Sequence, residues 1–411
     1  MNTLELAQKA RAAATLLPAL SETKRQEALR AIAKHLRLEQ DELMTQNRLD
    51  VEAARAAGLS SALIDRLALG AKHVEAMAMA LEEIAAAPSV VGMIVEEQTR
   101  QDGLVIQKQR IPLGVIGMIF ESRPNVVIDG AALAIKSGNA IILKGGKEAQ
   151  HSNRWLADCV RQAIKGLLPD DAVTLIETRE EVGELLKLSQ YIDLMVPRGG
   201  EKLIRFVREN ATMPVVAHDR GLCHTYIHAD AKTDYVKNIV INAKAQRPSA
   251  CNATETLLVH KDFSKSVLQD TLKALTEAKV TLHACPRTQA LANGALTLTP
   301  TDLDTEWLDF HLNVLMVDSA AEALAHIQRH GTRHTEAVLA EDPKVIELFM
   351  NGIDASCIAI NASTRFNDGG ELGLGAELGI STSKLHAYGP MGAKEMTTTR
   401  FIVRGKGHVR S

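Results

Sequence analysis

The chain has 411 residues, and its 47 Lys and Arg nearly balance 50 Asp and Glu, leaving a net charge of -3. At ~150 residues per domain this length predicts two or three domains. No basic run stands out and aromatic residues make up only 3%, so nucleic acid is not an expected partner. No stretch approaches the ~20 uninterrupted apolar residues of a membrane helix, so no membrane role is expected.

The first hundred residues read as helices. The N-terminal segment is read as an amphipathic helix and not as a leader peptide. Glu5 precedes its apolar stretch at 12–20, and no small-residue cleavage site follows. Ala28, Leu29, Ile32, Ala33 and Leu36 share one helical face, with Ser21 or Thr23 as cap. A second amphipathic run covers 39–57 and stops at Gly58, and Ser60 or Ser61 can cap the next turn. The alternation in "LVIQKQRI" (104–111) predicts a half-buried strand, broken by Pro112. "GVIGMIF" (114–120) is apolar throughout, as a strand covered on both faces should be.

From there strands and helices alternate. Strand patterns at 140–143, 172–176, 192–196 and 214–217 are separated by helical patterns at 126–135, 148–168, 180–188 and 202–207. Units of this size imply a parallel sheet with helices on both faces. A second series follows: a helix at 234–245, a strand at 256–259, a helix at 264–278 and strands at 280–284, 314–317, 337–339 and 357–360. The segment 286–310 is less regular. The tail "FIVRGKGHVR" reads as a strand beyond both cores, free to pair with another subunit.

An alternating α/β domain invites a search for G-x-G-x-x-G after its first strand, and none is there. "GLGAELG" (373–379) follows no clear strand and is set aside as chance. "LKGGKEAQ" is not a P-loop, but it puts Lys144, Gly145 and Gly146 between a strand end and a helix start, where a phosphate would be favoured. An ordinary turn with a solvated lysine explains it equally well. "MVPRGGEKLI" repeats the form with Arg198 and Gly199, and two such turns in one sheet strengthen the case for a phosphate-rich ligand.

The five cysteines are odd in number and scattered, without a C-x-x-C pair, so neither a disulfide framework nor a zinc knuckle is expected. Free thiols fit a cytoplasmic location. His326, His330 and His334 are spaced by four, but Gly331 interrupts the helix and no H-E-x-x-H carboxylate is present. A solvated or substrate-facing cluster is favoured over a metal site, and no metal is expected. His218 and Asp219 follow a strand end, as catalytic groups or as polar residues of a sheet edge. Most cysteines are small buried hydrophobes, and Cys357 in "SCIAIN" is read that way. Cys251 differs. Pro248, Ser249 and Asn252 surround it, and Arg247 is near enough to favour a thiolate. Asn252 can offer a side-chain or main-chain N–H to an oxyanion.

"AIKSGNAIILKGG" followed about a hundred residues later by "QRPSACNATET" resembles the aldehyde dehydrogenase superfamily. With "FESRPNVVIDGAALAIKSG", "HIQRHGTRHTEAVLAED" and "DGGELGLGAELGISTSKLHAYGPMG", nearly the whole chain resembles that superfamily's γ-glutamyl phosphate reductases.

The resemblance implies an α/β, aldehyde dehydrogenase-like fold: two Rossmann-like parallel-sheet domains plus a β oligomerisation extension. The expected parts are an NADP(H)-binding domain over 1–102 and 113–228, with part of 362–390, and a catalytic domain over 229–361. The extension is expected at 103–112 and 391–411. The resemblance further implies NADPH-dependent reduction of L-glutamyl 5-phosphate to L-glutamate 5-semialdehyde and phosphate, the second step of proline biosynthesis. The substrate is expected between the two α/β domains, and the chain is expected to be a homodimer or homotetramer. A superfamily oxidoreductase acting on another aldehyde or acyl substrate is the alternative.

By the same resemblance Cys251 is the nucleophile and Lys144 contacts the cofactor's adenosine ribose or its phosphate. The glutamate with which hydrolytic relatives activate water is missing from "AHDRGLCH", where His218 stands near its place. The thioester is therefore expected to be reduced and not hydrolysed. The superfamily's asparagine donor is replaced by "ESRPN", leaving Ser122 or Asn125 as candidates beside Asn252. Arg123, Arg247, Arg333, His334 and Glu336 are candidates to hold the substrate.

Overall fold

The computed structural model describes residues 2–217 and 220–410, the side chains of 61 and 62 excepted. The expectations placed on His218 and Asp219 lie outside the described residues. The chain forms two compact units, Met1–Ala217 with Gly373–Gly379 and Met391–Ser411, and His218–Leu372 with Ile380–Pro390.

The first unit opens with helices. Asn2 and Glu5 form a reciprocal capping box on Thr3–Leu16. Ser21 caps Glu22–Leu38 by accepting from the Lys24 N–H, and Ser60 caps Ser61–Leu67 by accepting from the Leu63 N–H. Gly58 takes a left-handed φ of +72° just past the helix Gln40–Ala56, a conformation that favours glycine.

Two strands, β1 (Ile94–Thr99) and β2 (Val105–Pro112), lead into β3 (Val115–Phe120), β4 (Ala140–Lys144), β5 (Val173–Leu175) and β6 (Leu194–Arg198). The last four build a parallel sheet in the order β5-β4-β3-β6. All six residues of β3 are buried, which accounts for its unbroken apolar run. The helix Val126–Lys136 lies in the same core, and its buried Lys136 amine is tied to Glu22 and to the carbonyls of Ala85 and Ala87. The strand expected at 214–217 is reduced to a single bridge between Met195 and Val215.

The second unit is built on a seven-stranded sheet. In chain order its strands are β7 (Cys223–Ile227), β8 (Thr254–His260), β9 (Thr281–Ala284), β10 (Leu296–Thr297), β11 (His311–Val317), β12 (Thr335–Leu339) and β13 (Cys357–Ile360). Their spatial order is β10-β9-β11-β8-β7-β12-β13, and every pairing is parallel. One core cluster, with Leu257, Val259, Leu272 and Leu275, joins β8 to the helix Lys265–Glu277. A second, with Tyr226, Leu258, Val338 and Phe349, joins β7, β8 and β12 to the helix Pro343–Gly352. A short hairpin of β14 (Ile380–Ser381) and β15 (Gly389–Pro390) also belongs to this unit.

The final strand, β16 (Thr397–Arg404), pairs antiparallel with β2, giving a separate sheet in the order β1-β2-β16. The sequence boundaries differ from these units in two places. β7 pairs with β8 and β12 in the second sheet, so the units divide at 217/218 and not at 228. The extension sheet begins at β1, ahead of residue 103, and β2 keeps Pro112 as its last residue.

Candidate active site

Cys251 sits where the helix Thr233–Ala245 gives way to β8, the central strand of its sheet. Two consecutive turns carry it. The Ala250 N–H donates to the Arg247 carbonyl at 3.1 Å, and the Ala253 N–H donates to the Ala250 carbonyl at 3.0 Å. Cys251 and Asn252 are thus the central pair of the second turn, whose closing bond uses neither of their N–H groups. Cys251 is half-buried, whereas Ala253 to Val259 are buried. The geometry holds this thiol at the edge of a fixed core.

The segment entering β7 forms the seat of that turn. A Cβ placed on Gly221 would lie 1.9 Å from the Cys251 carbonyl oxygen, so only a glycine lets the two backbones approach this closely. The Cys223 thiol lies 3.3 Å from the same oxygen. Glu306 accepts the Gly221 N–H at 2.8 Å, and the Thr332 hydroxyl accepts the Leu222 N–H at 3.0 Å. Beneath the turn, Lys244 and Glu255 form a fully buried pair at 2.6 Å. Burial pushes the Glu255 carboxyl up to about 7, against the pull of the Lys244 charge.

The side-chain oxyanion candidates are otherwise engaged. The Asn252 amide donates to the Asn367 carbonyl at 2.9 Å and to the Arg365 carbonyl at 3.4 Å, and its oxygen accepts from the Arg365 guanidinium. Ser122, at φ +48°, gives both its N–H and its O–H to the Glu148 carboxylate, at 2.6 and 2.7 Å. The Asn125 amide donates to Asp129 at 2.9 Å. Asp129, held in the same pocket of charge as Arg198 and Arg123, is pushed by burial up to about 6.

The substrate candidates differ in exposure. Arg247 is exposed in the turn before Cys251. Arg333 is exposed too, at φ +64°, and pairs with Asp354 at 3.3 Å. His334 and Glu336 are buried, and Glu336 accepts both the N–H and the ring Nδ1 of His224, at 2.8 and 2.9 Å. Burial drives the Glu336 carboxyl upward, partly offset by His224. Both partners of that pair belong to strands of the second sheet, His224 to β7 and Glu336 to β12. Of the histidine series, His330 Nδ1 lies 2.8 Å from Asp304, and His326 packs edge-on against His224.

In the first unit, Lys144 ends β4, and Gly145 and Gly146 open a small indentation lined also by Lys147, Gln150, Asn153, Leu175, Ile176 and Glu177. Burial lowers the Lys144 pKa, and the neighbouring Glu148 opposes that shift. Buried Asp50 already accepts from the His151 N–H at 3.0 Å and from the Ser152 N–H and O–H at 2.8 and 2.7 Å. A carboxylate already satisfies the start of the next helix. At the second turn Glu121 accepts the Gly200 N–H at 2.9 Å. Arg198 turns away from it, 3.6 Å from Glu377 and against Gly379, and is not brought together with Lys144.

Asp50, Gly221, Cys223 and the Asn153 side chain escaped the sequence reading.

Residues 2–297 match the family model for the aldehyde dehydrogenase family. The chain is 48% identical over 406 residues to the gamma-glutamyl phosphate reductase of Moorella thermoacetica, covering 98% of this chain and 97% of that one. It is 45% identical to the enzyme of the same name from Xanthomonas campestris, with both chains covered in full. The chain belongs to the aldehyde dehydrogenase family, among its γ-glutamyl phosphate reductases. The crystal structure of the Thermotoga maritima gamma-glutamyl phosphate reductase is similar over all of both chains, with a TM-score of 0.96 at 40% identity. An acetylating aldehyde dehydrogenase from Geobacillus thermoglucosidasius, 18% identical, gives a TM-score of 0.71 over 100% of this chain and 97% of that one and shares the fold. The aldehyde dehydrogenase family thus accounts for two parallel sheets in one chain where G-x-G-x-x-G is missing.

Proposed function

We propose that this chain reduces L-glutamyl 5-phosphate to L-glutamate 5-semialdehyde and phosphate, the second step of proline formation from glutamate, through a thioester on Cys251. The observation that carries this reading is full-length similarity, at 45% and 48% identity, to relatives named for that reaction. The Cys251 turn supports it, because a half-buried thiol on a rigid seat suits a nucleophile.

One observation supports a nucleotide cofactor beside the Gly145–Gly146 turn: the buried Oδ1 of Asn153, which lines the indentation, has no hydrogen-bond partner. Lys144, Gly145 and Gly146 would hold the cofactor there, with Gly199 at the second turn. NADPH, when bound, supplies the hydride. The Cys251 thiolate forms the C–S bond to the acyl carbon while the C–O bond to phosphate breaks, and phosphate leaves with the electron pair. After reduction, the hemithioacetal oxyanion collapses to the aldehyde and expels the thiolate, so Cys251 returns in its starting form. With the three side-chain amides and hydroxyls committed elsewhere, the Asn252 main-chain N–H is the donor we assign to the oxyanion. Arg247 is retained for an anionic end of the substrate. The extension sheet is proposed to join subunits into a homodimer or homotetramer along the outer edge of β16.

The test is Cys251→Ala assayed in reverse with semialdehyde, phosphate and NADP+. Activity should fall to background, and turnover at the unmodified rate would rule out the thioester route. Phosphate dependence of the reverse reaction separates this reading from an oxidising aldehyde dehydrogenase, which would release a carboxylate.

A further inference from the structure

Cys223 takes no part in the proposed reaction, yet it lies against the nucleophile. It is the first residue of β7, fully buried, with its sulfur 3.3 Å from the Cys251 main-chain oxygen and 3.7 Å from the His334 ring Nδ1. That oxygen is only a few covalent bonds from the Cys251 sulfur. Cys223 is fixed in a strand of the sheet, whereas Cys251 belongs to a turn outside any ladder. Joining the two sulfurs calls for a rotation of the Cys251 side chain and an adjustment of its turn, because a disulfide has a strict geometry. Burial, and then the nearby Glu336, push the Cys223 thiol well above its ordinary range. As a thiol it competes poorly for an acyl substrate, but a sulfenic acid is a far stronger electrophile.

We propose that Cys223 is a resolving thiol: when a hydroperoxide oxidises Cys251, Cys223 captures the product as a Cys223–Cys251 disulfide that blocks the nucleophile reversibly. The proposal rests on Cys251 being the reactive thiolate. In the first step the Cys251 thiolate attacks the peroxide, the O–O bond breaks, and Cys251 sulfenic acid forms as hydroxide or alkoxide leaves. In the second, the Cys223 sulfur forms the S–S bond as the S–O bond breaks. Hydroxide departs and takes up the thiol proton as water. The two thiols together lose two electrons, and the peroxide gains them. A dithiol reverses the modification by exchange, whereas sulfinic acid at Cys251 would not be reversed.

The experiment treats the full-length protein with hydrogen peroxide, alkylates the remaining thiols under denaturing conditions, and maps unreduced peptides by mass spectrometry. The expected result is a linked peptide pair carrying Cys223 and Cys251, loss of activity, and its recovery with dithiothreitol. Cys223→Ser should lose activity to peroxide without recovering it, as Cys251 proceeds to sulfinic acid. If that variant does not fold, the mapping of the unsubstituted protein decides alone. Sulfinic acid at Cys251 with Cys223 fully alkylated would overturn the proposal. So would a link from Cys251 to Cys285, the thiol whose pKa is lowered by hydrogen bonds from Thr288 and neighbouring N–H groups against the cost of burial. The two readings fail separately. An inactive Cys251→Ala with no disulfide in the unsubstituted protein defeats only this inference, and an active Cys251→Ala with the disulfide defeats only the thioester route.

Discussion

At the scale of single residues, the Cys251 site depends on what is missing at Gly221. Its backbone requires space, because an added Cβ would fall 1.9 Å from the Cys251 carbonyl oxygen and 2.8 Å from its carbon. Gly221→Ala must therefore move the nucleophile's turn. We expect kcat to fall by roughly 100-fold, since ångström-scale misplacement of a reacting group costs about that much. The stability loss should be smaller, about 1–3 kcal/mol as for other overpacked positions. Steady-state kinetics beside urea unfolding would check both, and an alanine variant with unchanged kcat would refute the close-contact account. Cys251 was legible in the sequence because its polar neighbours and the "CNATET" pattern lie beside it. The commitments of Ser122 to Glu148 and of Asn252 to Arg365 and Asn367 were not legible, because each partner lies far off in the chain. The pairing of Glu336 was hidden for the same reason: its partner His224 is 112 residues away.

At the scale of elements, strands were readable where burial shapes the sequence. β3 and β4 are almost wholly buried and announce themselves as apolar runs. β1 is exposed along its whole length, so "IVEEQT" carries no alternation to find. The segment at 214–217 is apolar enough to suggest a strand, yet it bonds to β6 only through Met195 before the chain leaves the sheet. The helix Gln150–Ile164 shows a further limit. Its first turn is completed by Asp50 from the helix Gln40–Ala56, through three hydrogen bonds. Asp50→Ala leaves those donors buried and should destabilise the fold by about 2–4 kcal/mol, because unpaired buried donors to a lost carboxylate are costly. Asp50→Asn keeps an acceptor oxygen and should lose less. Denaturant unfolding of the two variants ranks them, and equal losses would remove the capping role.

For the whole molecule, the two α/β series were visible in the alternation of patterns, but their seam was not. β7 is absent from the sequence expectations, which place no strand between 217 and 256, and its partners β8 and β12 assign it to the second sheet. The extension sheet ends at β16, whose second edge has no strand among the described residues and where Phe401 and Val403 are 69% and 60% exposed. Exposed apolar side chains on an open edge favour pairing with another chain. Replacing both with lysine should shift the protein to a smaller species in light scattering coupled to size exclusion, with the Cys251 turn still alkylated at its normal rate. A double variant of unchanged mass would place the subunit contact elsewhere.

The pairing of β16 with β2 also imposes an order in time. Arg404 sits opposite Val105 and Thr397 opposite Pro112, so a strand made early waits for one made much later. Until β16 leaves the ribosome, β2 has β1 on one side and a bare edge on the other. A message cut short just ahead of β16 would still encode Cys251 and both parallel sheets, yet its product would carry that edge permanently. Such a chain offers chaperones and proteases a clear mark of incompleteness, although every residue assigned to catalysis is already present.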